Sequence, residues 1–180
     1  MNQPDDRRIE MSYHEAGHCV AAAILRIPLE SIRMVKGDQG EKIGVTPKPW
    51  QAFPWLGPRP LTRPDDITEE EWLALSGDDE AWESWKRRDA ERYVAFYLAG
   101  KAARSIHSPG TVQDADAKAD YSWVQCVTPD CWSRLADLEQ AAKDLMTAHW
   151  GAIGVVATQL VSRAVLTPEE LEVLMVPYLS

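Results

Sequence analysis

The chain has 180 residues, 45% of them hydrophobic, and a formal net charge of -9. That length and apolar content suit one domain with a real core and argue against two independent ones. The acidic balance argues against a nucleic-acid partner, because the one notable basic run, Lys86-Arg87-Arg88, is surrounded by acidic residues.

No apolar run approaches the roughly 18 residues that span a bilayer, and the N-terminus lacks the basic-then-apolar form of a signal peptide. A soluble cytoplasmic protein without a membrane segment is expected. Cys19, Cys126 and Cys131 form no C-x-x-C pair, so reduced thiols are the default.

The first helix is predicted from Asp5 or Asp6, where acidic side chains suit the positive end of the helix dipole, to about Leu25, with Pro28 ending it. Ile9, Tyr13, Ala16, Val20, Ile24 and Ile27 recur every three or four residues as one apolar stripe. At its edge, half sheltered and open to a cleft, His14-Glu15-Ala16-Gly17-His18 reads H-E-x-x-H. Residues four apart share a helix face, so both imidazoles can converge on one metal ion, and Glu15 beside them can act as general base. Two of the four histidines fall within these five residues. Gly17 costs about 1 kcal/mol relative to alanine, which close approach of another backbone would offset.

Ser31 to Val35 and Ile43 to Thr46 read as strands of a hairpin, with Gly37-Asp38-Gln39-Gly40 as its turn. Such a strand beside the metal helix can hold an extended peptide by main-chain hydrogen bonds. A Pro/Trp-rich insertion follows at about 47–79; its proline density breaks regular helix, while Trp50, Phe53 and Trp55 argue against simple disorder. Within it Thr68 to Glu71 opens a short helix with a capping box, and Gly77-Asp78 closes it. Trp82, Trp85, Phe96, Leu98 and Ala102 mark a long helix ending before Pro109-Gly110, the tryptophans being read as packing.

Two histidines leave a catalytic zinc one ligand short, and the third histidine of the longer H-E-x-x-H-x-x-G-x-x-H pattern is missing, so an acidic ligand from a later element is required. Asp120 opens the apolar pattern Tyr121, Val124, Val127, in the first turn of a helix. Asp114 and Asp116 open no such pattern and suit capping or solvated roles. Thr128-Pro129 restarts a helix, and Leu135 to Leu160 gives a long amphipathic helix or a pair, with Gly151 and Gly154 marking a kink. Thr167-Pro168-Glu169-Glu170 caps a terminal helix. His107 and His149 read as non-ligands.

Together these stretches resemble the peptidase domain of FtsH-type zinc metallopeptidases. Ser12 to Ala21 is similar to their zinc helix, Ile43-Gly44-Val45-Thr46-Pro47 to their following strand, and Leu98-Ala99-Gly100-Lys101-Ala102-Ala103 to their Leu-Ala-Gly-Arg-Ala-Ala segment. The resemblance implies a third zinc ligand nineteen residues beyond that arginine position, which is Asp120. A second match, Gly110 to Asp114 against the family's Gly-x-x-x-Asp ending, keeps Asp114 as the other candidate. Arg104 stands where the family carries glutamate, which puts an ion pair there in doubt. No G-x-x-x-x-G-K-S/T occurs, so ATP-driven unfolding would need a separate ATPase; family rings suggest a homo-oligomer as another partner.

The expected fold is mainly α with a small β-sheet, a zincin-like α+β domain over 1–180. The expected function is a zinc metalloendopeptidase acting on unfolded or short polypeptides, with Glu15 catalytic and His14, His18 and Asp120 holding Zn2+. The alternative is a non-catalytic zinc protein that binds a peptide or partner.

Overall fold

Helix α1, Asp6–Leu25, carries the motif and lies at the centre of the structure. The computed structural model describes residues 6–37, 40–47, 63, 67–110, 118–127, 133–163 and 165–179. Most of the Pro/Trp-rich insertion, Asp114, Asp116, Thr128-Pro129 and Cys131 fall outside these residues. Among them the chain is mainly helical with one small antiparallel sheet, and no helix is long and apolar enough to cross a membrane.

The hairpin pairs β1, Leu29–Gly37, with β2, Gly40–Pro47, in a register that closes at Gly37 and Gly40. Helix α2, Glu69–Ser76, starts on Thr68 with both halves of the expected capping box in place. Helix α3, Asp79–His107, is capped by Asp78 and is the longest element. Helix α4, Lys118–Val127, has Asp120 in its first turn.

Helices α5, Leu135–Ala148, and α6, Trp150–Ser162, are the pair expected from the long apolar pattern. Their break falls at His149 rather than at Gly151 or Gly154, because the His149 backbone (φ -111°, ψ 26°) leaves the helical region just where Trp150 turns onto the Tyr13 ring. A two-residue strand β3, Val165–Leu166, pairs antiparallel with β1 and gives the order β2-β1-β3. Helix α7, Pro168–Met175, begins on the Thr167 capping box and ends in a 3-10 turn, Val176–Tyr178.

α1 runs antiparallel to α3, with Glu10 meeting Arg104, His18 meeting Phe96 and Leu25 meeting Arg92. Gly17 makes the close crossing possible. A Cβ there would lie 2.5 Å from the Ala99 carbonyl oxygen and 2.8 Å from the Ala103 Cβ. The other side of α1 packs on α6, so the helix is buried on nearly every face from His14 to Ala22.

The end of α1 is closed from outside. Arg26 takes a left-handed conformation (φ 55°), which costs a residue with a side chain about 1–2 kcal/mol. The Arg92 guanidinium offsets this by donating to the carbonyls of Leu25 and Arg26, each at 2.9 Å, while Asp89 holds it at 2.6 Å. The main core gathers Val20, Tyr93, Phe96, Met146, Ile153 and Leu160 around this crossing. A separate cluster packs Trp82 and Trp85, stacked at 5.0 Å, with Ile67 and Leu75, in keeping with a packing role for these tryptophans.

Candidate metal centre

The four-residue spacing brings the His14 and His18 Nε2 atoms 3.2 Å apart. The Asp120 Oδ2 reaches in from α4, 3.2 Å from His14 Nε2 and 3.6 Å from His18 Nε2. Among the described residues this is the group of three that could hold a metal ion, with one donor atom each. Asp114 lies outside the described residues.

The histidines are more enclosed than the stripe suggests. Both are buried, at 7% and 4% exposure, because α3 covers the face that a single-helix reading leaves open to a cleft. Gly100 is the part of α3 that makes room. A Cβ on it would sit 2.4 Å from His18 Nε2 and 2.8 Å from His14 Nε2, so only glycine leaves space for the two imidazoles. The sequence assigns Gly100 no role of its own. Its signals there are its place in the Leu98 to Ala103 segment and a glycine inside an alanine-rich helix, where it costs stability unless something approaches closely.

One donor, His18, is oriented by a hydrogen bond outside the group. His18 Nδ1 donates to the Phe96 carbonyl at 2.8 Å, which directs Nε2 toward His14 and Asp120. In the metal-free site burial pulls the His18 pKa down, but the charge of Asp120 and its hydrogen bond outweigh this and raise it to about 9. Burial likewise pushes the Asp120 carboxyl up, and the facing histidines overcome it and hold it well below the usual carboxylate range.

Glu15 is buried at 4% exposure, and its Oε2 accepts the Val45 backbone N–H of β2 at 3.0 Å. Burial raises its pKa, opposed by His14 and His18. The bond fixes one carboxylate oxygen against the sheet and leaves the other uncommitted by it. The hairpin thus meets α1 at Glu15, the residue expected to act as base.

Around this centre an aromatic run leads outward. The His18 and Phe96 rings lie 5.0 Å apart, Phe96 and Tyr97 5.1 Å, and Tyr97 stacks on the half-exposed Trp123 at 5.9 Å. Outside the group of three, His107 of α3 stacks on Tyr13 at 3.7 Å, and His149 sits at the α5–α6 junction. Arg104 makes an ion pair despite its departure from the family pattern, to Glu10 at 2.7 Å, so the cation comes from α3 and the anion from α1.

Two histidine nitrogens and one carboxylate oxygen are a donor set that suits zinc with a position left for water. In a tetrahedral site with bonds of about 2.0–2.1 Å, neighbouring donors stand about 3.3 Å apart. The observed separations of 3.2, 3.2 and 3.6 Å bracket that value. No protein-family model matches the chain, and no curated protein matches its sequence.

Proposed function

We propose that the chain is a zinc metallopeptidase with the zincin-like arrangement of FtsH-type peptidase domains. The observation that carries this reading is the convergence of His14, His18 and Asp120 on one point with buried Glu15 beside them. His14 Nε2, His18 Nε2 and Asp120 Oδ2 would hold the ion. Zinc bound there supplies Lewis-acid chemistry, making water acidic near neutrality and polarising a carbonyl oxygen.

The chain's own groups do the rest. Phe96 keeps the His18 ring in register, and the Val45 N–H anchors Glu15 so that its second oxygen can take a proton from the attacking water. Glu15, buried beside the three donors, is placed to accept a proton and then return it to the leaving amine. A polypeptide substrate, a cytoplasmic setting, and a separate ATPase or homo-oligomer as partner belong to the same proposal.

The test is hydrolysis of an unfolded protein by zinc-loaded chain without ATP, paired with Glu15→Gln. Wild type should cut, and Glu15→Gln should keep zinc and fold but lose at least about 100-fold in rate. Equal rates in both proteins would remove Glu15 from the mechanism. Zinc held without an exchangeable water and without hydrolysis would favour the non-catalytic binding protein.

A further inference from the structure

Asp120 is the one donor of the centre that does not lie on α1; α4, which carries it, is short and packs through buried Val124 and through Trp123, which stacks on Tyr97. It is ten residues long, below the length at which a helix is stable alone. Val124 is the only buried side chain among its described ones. Next to Asp120, Tyr121 enters a polar node that joins three helices. Its hydroxyl donates to Glu139 Oε1 of α5, and Lys101 of α3 donates both to the Tyr121 hydroxyl and, at 2.9 Å, to Glu139 Oε1. The Lys101 ammonium also lies 4.8 Å from the centre of the Tyr121 ring.

Consecutive helical residues point about 100° apart, so contacts at Asp120 and Tyr121 bear on α4 from two directions. Val124 and the partly exposed Trp123 hold α4 by apolar contact, which is non-directional and sets its roll less sharply than a hydrogen-bonded node does. A roll of about 20° carries a carboxylate some 6 Å from that axis through about 2 Å. Metal sites tolerate about 0.2 Å. We infer that Lys101 and Glu139, acting through Tyr121, are positioning residues that set the roll of α4 and so aim Asp120 at the two histidines.

The effect on zinc rests on the metallopeptidase reading, whereas the effect on α4 does not. Two measurements therefore test it on purified full-length protein: zinc affinity by competition with a chelator, and backbone hydrogen exchange of 118–127 in the metal-free form. Lys101→Met should weaken zinc about tenfold, the low end of the range for losing a direct partner of a ligand, because Lys101 acts on Asp120 only through Tyr121. It should also speed exchange of α4 at least about tenfold while α1 and α6 keep wild-type protection.

Lys101→Arg keeps the charge and donors and should restore both within about threefold. Glu139→Gln breaks the node from α5 and should behave as Lys101→Met does, which keeps the test decisive if that variant fails to fold. Unchanged α4 exchange in both disrupting variants overturns the inference, as does zinc affinity within about threefold of wild type. If wild type itself takes up no zinc, the metallopeptidase reading fails and α4 exchange alone decides: faster exchange supports the node's role, and unchanged exchange ends it.

Discussion

Gly100→Ala puts the packing of α3 on the two imidazoles to a direct test. Ordinary contact begins near 3.4 Å, so the added Cβ would be too close to His18 Nε2 by about 1.0 Å and to His14 Nε2 by about 0.6 Å. Zinc sites keep their ligand distances within about 0.2 Å, so both nitrogens would be driven several tolerances away. Losing an outer support of a ligand costs 10- to 100-fold in affinity, and displacing two donors at once should reach about 100-fold, near 2.7 kcal/mol. Helix propensity acts in the opposite direction, since alanine is favoured over glycine by about 1 kcal/mol. Overpacking around buried side chains costs about 1–3 kcal/mol, which that gain offsets in part, so the variant should hold zinc poorly with at most a modest loss of fold, read by chelator competition and denaturant unfolding on the same preparation. Gly154, where an added Cβ would meet nothing within 4 Å, is the control. Gly154→Ala should leave zinc affinity unchanged and stabilise by up to about 1 kcal/mol. Zinc affinity of Gly100→Ala within about threefold of wild type would refute the steric argument.

The metal-free protein should lose stability as pH rises from about 6.5 to about 9. His18 holds its proton in the folded state up to about 9 against an ordinary value of 6.5, so its contribution is complete below 6.5 and gone above 9. The raised pKa of Glu15 acts with the same sign at lower pH, from its ordinary value of 4.5 upward. Denaturant midpoints from about pH 6 to about pH 9.5 check this, and a flat profile would remove the His18–Asp120 pairing as the cause. Breaking the largely buried Arg104–Glu10 pair from one side, as Glu10→Gln or Arg104→Met, should cost about 3 kcal/mol. The double variant should recover much of that loss in a denaturation cycle, and full additivity would show that the two groups are not coupled.

Much of the centre is legible in the sequence because its signals are local. The H-E-x-x-H spacing and the stripe through Ala16 and Val20 place α1, the Thr68 and Thr167 capping boxes place α2 and α7, and Asp120 stands out because it heads an apolar pattern. What escapes depends on how elements cross. The Val45 N–H reaching Glu15 and the Arg92 guanidinium closing α1 join residues 30 and 66–67 positions apart, and no periodicity records such pairs. β3 is two residues long and exists only through its pairing with β1. The burial of His14 and His18 exceeds what the stripe suggests because a helical stripe describes one side of one helix, while α3 and α6 enclose α1 from two. Gly100 belongs to the same class, since its meaning comes from the imidazoles set against it.

The Glu15–Val45 bond has a consequence for how the molecule meets its neighbours. Among the described residues β2 is an outer strand of the sheet, and outer strands offer backbone groups to which strands of other molecules can add. At Val45 that offer is already taken by a carboxylate from inside the same chain. The proposed base therefore occupies one backbone donor of that strand. Replacing it with glutamine keeps an acceptor at this position, whereas alanine would leave the strand's N–H open to a passing edge.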